Sequence, residues 1–405
     1  MIESIGEEAF NFQDERFADI QMLRYRLPDF ESLTIRQKQL IYCLSEATLF
    51  GRDITFDQFG KYNLRIRKTL EAVYLNFNGD RLEHNFRALE EYLKHVWFAS
   101  GIYHHYACDK FSPLFTEDFF RNEVLAIDSK LLPLNDGESV TSLLNELCPV
   151  IFDPTILPKR VDKSDGKDIV RSSACNYYDG VSQHEVEEFY AKLKKDGPTN
   201  EAPSYGLNST LVKEGDSIRE DVWKIGGKYS AAIEKIVYWL NRAKNFVEND
   251  QQLHVINLLI RYYETGDLHD FDIYSIEWLR EQEGRIDFIN GFIEVYGDPM
   301  GLKGSWEGIV EYKDLEATHR TQAISANAQW FEDHSPVDSQ FRKAIVKGVT
   351  ANVICAAMLG GDEYPASAIG INLPNADWIR AEHGSKSVTI SNLTHAYDMA
   401  AKGNG

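Results

Sequence analysis

Two residues that can do chemistry, Glu294 and Tyr296, lie two positions apart near the end of the alternating segment 286–296. Period-two alternation of apolar residues predicts a strand with one face in the core, and Gly297-Asp298-Pro299 ends it. On one face of a strand, a carboxylate can hold a substrate ammonium, and a phenol can donate to a carbonyl oxygen that gains negative charge. Taken alone, the pair is better interpreted as an exposed sheet face that meets only water.

A second segment, 366–372, also predicts a short strand, which ends at Pro374. Gly370 and Asn372 share one face, and small residues there let another backbone approach closely. An extended peptide can add to such a strand through main-chain hydrogen bonds, with Asn372 and Asn375 meeting its polar groups. The alternative is that these asparagines only stabilise the turn around the proline.

The elements that must position these residues indicate an α+β fold, mainly helical with a small mixed β-sheet or barrel-like core. Helical periodicity covers much of the first hundred residues, whereas residues 130–180 look dominated by loops. Further helices are predicted at 233–243, 253–260, 315–331 and 392–402, and strands at 286–296, about 307–312, 366–372 and 387–391.

The composition of the 405 residues limits the partners. Asp and Glu number 63 against 43 Lys and Arg, which gives a net charge of −20. This charge disfavours nucleic acid and anionic membranes as partners, and favours cationic peptides. No secretory signal or long apolar stretch is visible, so a cytoplasmic location is predicted.

No metal site is predicted in this chain. The sequence contains no H-E-x-x-H or H-E-x-x-G-H motif, and the nearest approach, His184-Glu185-Val186-Glu187-Glu188, has Glu where the second His is needed. The five cysteines are scattered without C-x-x-C spacing, which argues against a disulfide framework or a cysteine zinc site.

In their residues and in their order along the chain, the two strand segments resemble dipeptidyl peptidase III, a family of zinc peptidases that remove dipeptides from peptide N-termini. The resemblance is closest to the bacterial branch of the family and runs over most of the chain. It rests on Phe17-Ala18-Asp19-Ile20, Leu23-Arg24-Tyr25, Gly51-Arg52-Asp53, Tyr62-Asn63-Leu64-Arg65-Ile66-Arg67, Ser204-Tyr205-Gly206-Leu207-Asn208, Gly291-Phe292-Ile293-Glu294-Val295-Tyr296-Gly297-Asp298-Pro299, Trp306-Glu307, Gly370-Ile371-Asn372-Leu373-Pro374-Asn375 and Ser387-Val388-Thr389-Ile390.

The resemblance implies roles for particular residues. Tyr296 would stabilise the tetrahedral oxyanion and is the catalytic candidate. Glu294 would bind the α-ammonium of the substrate, and the loop 103–113 would line the cleft. The substrate-binding candidates are Glu294, Asn372, Asn375, Gly370 and Phe111.

The resemblance also implies zinc in the complete enzyme, bound by the motif that this sequence lacks. We therefore expect a chain truncated before the zinc-binding motif, inactive alone and binding no zinc, with an exposed apolar face where the zinc lobe would pack. Residues 1–314 and 353–405 are predicted to form the lower, substrate-binding lobe, and 315–352 the start of the upper, helical zinc-bearing lobe. The implied partners are short peptides with a free N-terminus and the missing C-terminal zinc lobe.

Three functions follow from this sequence. The first is the N-terminal portion of a zinc-dependent dipeptidyl peptidase III. The alternatives are a non-catalytic peptide-binding module, which keeps the anchor residues without the chemistry, and a helical interaction scaffold without a peptide cleft.

Overall fold

The structure, a computed structural model, describes residues 10–198, 200–346, 349–365 and 367–402. Helices and strands alternate along the chain in an α+β arrangement, as predicted. Among the helices of these ranges, none combines the length and the apolar character that crossing a bilayer requires.

Helices make up most of the regular structure within the described ranges. Several begin at a side chain that caps the helix, as Thr34 does by accepting from the backbone N–H of Gln37. The helices are α1 (Ile35–Phe50), α2 (Arg52–Phe59), α3 (Asn63–Asn76), α4 (His84–Ala99), α5 (Glu117–Ala126), α6 (Val140–Phe152), α7 (Ile169–Ser172), α8 (Gln183–Asp196), α9 (Ser230–Ala243), α10 (Asp250–Thr265), α11 (Leu268–Arg280), α12 (Leu315–Ala326), α13 (Ala328–Asp333), α14 (Asp377–His383) and α15 (Ser391–Lys402).

The strands form three sheets. A five-stranded mixed sheet has the order β6-β7-β8-β10-β9, in which only β8 and β10 run parallel. A three-stranded sheet has the order β3-β4-β5, and β1 pairs with β2 as an antiparallel hairpin. The strands are β1 (Gln13–Phe17), β2 (Ile20–Leu23), β3 (Tyr178–Asp179), β4 (Ser209–Glu214), β5 (Ser217–Val222), β6 (Ile286–Glu294), β7 (Ser305–Lys313), β8 (Val349–Gly361), β9 (Gly370–Leu373) and β10 (Ser385–Ile390).

The four predicted strands of the large sheet are present as β6, β7, β9 and β10, although part of the predicted start of β9, Ala366, lies outside the described residues. The prediction that β6 buries one face was wrong: every residue from Ile286 to Ile293 is buried. Helix α1 packs on one face of the sheet, and on the other, concave face Trp278 of α11 donates to Asp287. A strand enclosed in this way has no solvent side.

The structure contains a strand and a helix that the sequence analysis missed, although residues 130–180 are mostly loop, as predicted. The central strand β8 was missed because its run from Val353 to Leu359 is apolar on successive residues, without the alternation that marks a half-buried strand. Residues 130–180 contain a full helix, α6, which buries Leu143, Leu147 and Ile151. The Pro149 in this helix and the polar residues around it concealed the helical period.

Helix α1 packs closely against the convex face of the large sheet. A Cβ atom at Gly51, between α1 and α2, would lie 2.1 Å from the indole ring of Trp306, so this position must lack a side chain. Gly360 on β8 similarly leaves room for Thr48, whose Cγ2 would lie 2.6 Å from an added Cβ. The main hydrophobic core therefore contains residues of α1 and α2 together with residues of β6 and β7.

The large sheet is curved like part of a barrel. Lys386 on β10 places its Nζ 2.9 Å from Asp287 Oδ2 on β6, although two strands separate them in the sheet. Both side chains are almost fully buried, with exposed fractions of 1 % and 8 %. The Trp278 indole N–H, 2.9 Å from Asp287 Oδ1, donates to the same carboxylate. This interior ion pair connects the two sides of the curved sheet.

We expect Asp287→Ala to lower the free energy of unfolding by about 3–5 kcal/mol, because it leaves the buried Lys386 ammonium without its counter-charge. Urea unfolding followed by circular dichroism measures this change. The matched control is Glu31→Ala, which removes the exposed partner of Lys38 in a 2.6 Å ion pair and is expected to cost less than about 1 kcal/mol. Equal losses in the two variants would contradict the structural role of the interior pair.

Candidate functional site

A pocket of about 550 Å³ opens where the end of β6 meets the segment that follows β9. One wall is α11, with Asp272, Tyr274 and Trp278, and a further wall comes from the loop at 301–302. The sheet contributes Ile289, and apolar side chains make up much of the remaining surface. The pocket thus has the mixed character, apolar with a few polar groups, that is usual for ligand sites.

Glu294 and Asn375, predicted from separate segments, meet at this pocket. The Asn375 Nδ2 donates to Glu294 Oε1 at 3.1 Å. A register shift between Phe292 and Glu294, in the pairing of β6 with β7, precedes the contact. Such a bulge changes the direction of the following side chain. The two residues belong to opposite edges of the sheet, and its curvature brings them together.

Tyr296 also lines the pocket, but not as part of a strand. The sequence analysis extended β6 to this residue, whereas the strand ends at Glu294. The Tyr296 side chain is 81 % exposed and stands at the mouth of the pocket. Its hydroxyl is therefore accessible to a molecule bound beside Glu294.

Asn372 and Gly370 lie on β9, at the edge of the sheet and outside the lining of the pocket. The Asn372 Oδ1 accepts from the Ser387 hydroxyl at 3.2 Å, across the strand pair. A Cβ atom at Gly370 would lie 3.3 Å from the carbonyl oxygen of Val388, so the close approach here is to the neighbouring strand β10. The structure places these two residues beside the site rather than in it.

Phe111 lies in a different part of the fold. Its ring packs against the core of helices α3 to α6, with its centroid 5.0 Å from that of His95. Its backbone N–H donates to the carbonyl of Ile102 at 2.8 Å. The residue is partly buried and does not line the pocket.

The loop that carries Tyr296 is fixed by the buried carboxylate of Asp298. This carboxylate accepts from the backbone N–H groups of Met300, Leu302 and Lys303 at 2.8–3.1 Å, and from the Tyr178 hydroxyl at 2.8 Å. Burial raises the pKa of Asp298, and the backbone donors oppose that rise. In the sequence this residue was read only as part of a strand stop.

Lys303 anchors the end of the same loop. Its side chain is fully buried, and its ammonium donates to the hydroxyls of Tyr190 and Ser209, the latter at 3.1 Å. Burial lowers the pKa of Lys303 to about 8. The ammonium also lies 4.7 Å from the ring centroid of Tyr190. Sequence reasoning missed this residue, because nothing in the local pattern marks a buried lysine.

Asp272 is a second residue that sequence reasoning missed. It lies on the pocket wall and is only 5 % exposed. Burial, and then the charges of Asp267 and Glu201, raise the pKa of Asp272 to about 7. A carboxyl group shifted this far in a cleft is a candidate for function. Its position in an amphipathic helix gave no sign of this in the sequence.

The described ranges contain no group of three or more His, Cys, Asp or Glu residues that could hold a metal ion. The near-motif residue His184 is exposed on α8, with its Nε2 3.4 Å from Glu188. The residues at the pocket therefore offer binding and hydrogen bonding, and they do not fit a zinc centre.

Comparison with known families gives a match to Peptidase family M49 over residues 184–403, just over half of the chain. Among curated proteins, dipeptidyl peptidase 3 of Nematostella vectensis is 22 % identical over 348 residues, which are 79 % of this chain and 47 % of that protein. Dipeptidyl peptidase 3 of Dictyostelium discoideum is 28 % identical over 170 residues, 42 % of this chain and 24 % of that protein. The chain spans about half or less of the length of these relatives.

Two solved structures share the fold. The structure of DPP III from Caldithrix abyssi superposes with a TM-score of 0.65 at 16 % identity, covering 91 % of this chain and 57 % of that one. Dipeptidyl-peptidase III from Corallococcus sp. strain EGB gives a TM-score of 0.65 at 16 % identity, with 94 % and 57 % covered. At this identity the likeness establishes the architecture alone.

The raised pKa of Asp272 predicts a pH-dependent effect on stability. Below the ordinary aspartate pKa of 3.8, the residue is protonated in the folded and the unfolded chain. As the pH rises towards 7, the unfolded chain ionises first, so this residue progressively destabilises the fold. We therefore expect Asp272→Asn to match the parent protein near pH 4 and to be more stable at pH 8, by roughly 1–3 kcal/mol.

Urea unfolding at the two pH values measures the effect. The matched control is Asp270→Asn on the same helix, which removes the carboxylate that lies 2.9 Å from Arg261 Nε. That variant should gain no stability at pH 8. A loss of stability in Asp272→Asn at pH 8 would contradict the raised pKa.

Proposed function

Because the chain belongs to peptidase family M49, we propose that it binds short peptides by their free N-terminus and contributes this site to the release of dipeptides. The family is zinc-dependent and acts on peptides, which gives the class of substrate. We further propose that the chain works in the cytoplasm, with neither nucleic acid nor membrane as a partner.

The observation that supports this proposal most is the contact between Glu294 and Asn375. A peptide α-ammonium is a compact cation with three hydrogen-bond donors, and a carboxylate is its natural partner. The Asn375 amide fixes one carboxylate oxygen at the mouth of the pocket, 3.1 Å away. The proposed role of Asn375 is thus to orient the carboxylate and to offer its own carbonyl to the ammonium.

The edge strand β9 supports an extended mode of binding. It is the last strand of the sheet and pairs with β10 on one side. An extended peptide can add to such an edge through main-chain hydrogen bonds. In this arrangement Asn372 and Gly370 lie beside the bound main chain, while Glu294 receives its N-terminus. Phe111 lies away from this path, so its proposed contact is with more distant parts of a substrate.

Tyr296 is proposed as the hydrogen-bond donor to the carbonyl oxygen that gains charge during cleavage. Its hydroxyl stands free at the pocket mouth, on a loop that Asp298 and Lys303 hold. Because a preorganised donor does not have to reorient when the charge develops, it stabilises the transition state more than the bound peptide.

Zinc, when bound in a member of this family, supplies an activated water for peptide hydrolysis. The residues that the structure describes do not fit that metal. The proposed contribution of this chain is to bind and orient the peptide, so that its N-terminus fixes the distance to the bond that is cleaved.

The first test is binding. We expect Glu294→Gln to weaken binding of a free tripeptide about 10- to 150-fold, the equivalent of a hydrogen bond to a charged group. Isothermal titration calorimetry with the whole chain measures the dissociation constant. An N-acetylated tripeptide serves as the ligand control, and Glu316→Gln, an exposed carboxylate on α12, serves as the protein control.

Each outcome of this titration discriminates between functions. Equal affinity for the acetylated and the free peptide would exclude recognition of the ammonium. Absence of binding to either peptide would leave the chain as a helical interaction scaffold. Binding of the free peptide without release of a dipeptide is expected both of the peptidase portion and of a non-catalytic peptide-binding module, and it excludes the scaffold.

The second test concerns rate. In the complete, zinc-containing enzyme, we expect Tyr296→Phe to lower the kcat of dipeptide release by about 10²–10³ while changing KM little, because the hydroxyl acts on transition-state charge. Dipeptides released from a short peptide are quantified by mass spectrometry. Tyr42→Phe, which alters another exposed tyrosine on α1, is the control. An unchanged kcat in Tyr296→Phe would overturn the proposed role of the hydroxyl.

A further inference from the structure

Behind Glu294, three more carboxyl groups lie at the same end of the large sheet. Glu307 is the third residue of β7, and Asp362 and Glu363 follow directly after β8. Glu307 and Glu363 are buried, with exposed fractions of 1 % and 7 %. The anchor proposed for the peptide N-terminus is therefore backed by a group of acids in the interior.

Glu307 sits in an unusual position for a carboxyl group. In the sheet it faces Gly291 on β6 and Gly361 on β8, so neither neighbouring strand offers a side chain to pair with it. Its Oε2 is buried and has no hydrogen-bond partner among the described residues. An ionised carboxylate without a partner is costly in such a place, whereas a protonated carboxyl is tolerated.

The charged groups around Glu307 all raise the pKa of its carboxyl group. Burial raises its pKa well above the ordinary value, and Glu363, Glu294 and Asp362 raise it further. Burial also raises the pKa of Glu363 to about 7, although the Ala368 N–H, 3.3 Å from its Oε2, opposes the rise. At neutral pH this pair therefore retains a proton.

The nearby cations act on other groups. Burial raises the pKa of Asp362 to about 6 and Glu294 raises it further, whereas Arg160 lowers it. Glu311 is the next carboxyl on the same face of β7. Burial and the charges of Asp287 and Glu363 raise its pKa, whereas Lys386 and Lys313 lower it. The groups that act on Glu307 itself, from β6 and from the loop after β8, are all acidic. The charge most able to change its protonation is therefore one that arrives at Glu294.

We propose that Glu307 is a positioning residue for Glu294: with Glu363 it holds one proton in the empty site and releases it when a cationic N-terminus binds. This inference rests on the proposed function and adds a coupling between peptide binding and protonation. The charge balances, because an ammonium enters as a proton leaves the buried carboxyl oxygen for the solvent.

The coupling follows from electrostatics. In the empty site, the retained proton limits the repulsion between Glu294 and the acids behind it. A bound ammonium lowers the cost of a negative charge on Glu307 or Glu363, so their proton dissociates more readily. By linkage, peptide affinity must then rise with pH wherever the proton is released. The released proton also makes the site more negative towards its cation than Glu294 alone.

Calorimetry of the whole chain tests this directly. A tripeptide with a free N-terminus is titrated at pH 6.5 in phosphate and in an amine buffer of higher ionisation enthalpy. At this pH the peptide α-amino group, with a pKa of about 7.7–8.0, remains charged. We expect a binding enthalpy that depends on the buffer and corresponds to release of a substantial fraction of a proton, up to about one. An enthalpy independent of the buffer would overturn the proposal.

Two variants then identify the carboxyl group that releases the proton. Glu307→Gln keeps the shape of the side chain, and we expect it to remove at least half of the proton release. It should also flatten the rise of affinity between pH 5.5 and 6.5, estimated as about two- to fivefold in the parent protein. Glu311→Gln is the matched control: it is on the same strand, is equally buried, and has an unpartnered Oε2. Proton release that survives Glu307→Gln but not Glu311→Gln would also overturn the proposal.

Peptide binding and its coupling to proton release can be contradicted separately. If the free tripeptide does not bind, the proposed function fails. If it binds with an affinity that depends on Glu294 but releases no proton, only the coupling fails. Should Glu307→Gln not fold, as judged by its thermal unfolding, Glu363→Gln and the buffer dependence of the parent protein still decide the question.

Discussion

The buried contact between Lys386 and Asp287 is the interaction on which the site depends most. It holds β10 against β6 across the inside of the large sheet, at 2.9 Å, and so maintains the curvature of that sheet. In a flat sheet of five strands, β6 and β9 would lie about 19 Å apart. Because the sheet is curved, Asn375 beyond β9 reaches Glu294 at the end of β6.

The concave side of this sheet carries more acid than a core normally tolerates. Asp287 has a lysine and an indole N–H to compensate it, whereas Glu307 and Glu311 each keep a buried oxygen that has no hydrogen-bond partner within the described part of the chain. Carboxyl groups in this setting cost stability unless they hold a proton or acquire a cation. A cationic ligand bound beside these carboxyl groups would offset part of that cost.

Sequence reasoning succeeded where a local pattern reports the structure. Alternation, Gly and Pro marked the two strand segments beside Glu294 and Asn375, although the first was extended two residues too far, and the class of fold followed from the helical periods. It failed where burial is decided by distant partners. The central strand β8 shows no alternation over Val353 to Leu359, where residues on both faces are apolar. The unusual protonation of Asp272 depends on its depth in a pocket that assembles from segments about 100 residues apart.

The placement of the site suggests that recognition and chemistry are separable in this protein. Glu294, Asn375 and Tyr296 are held by contacts within the described residues, namely the curvature of the sheet and the loop that Asp298 and Lys303 fix. The proposed recognition of a free N-terminus therefore rests on residues that the fold brings together at one pocket. The Asn375 amide contacts the Glu294 carboxylate before a peptide arrives, so less ordering entropy is lost when a peptide binds. By this proposal the sheet sets the position of the first peptide residue, and a catalytic group has to be placed relative to it.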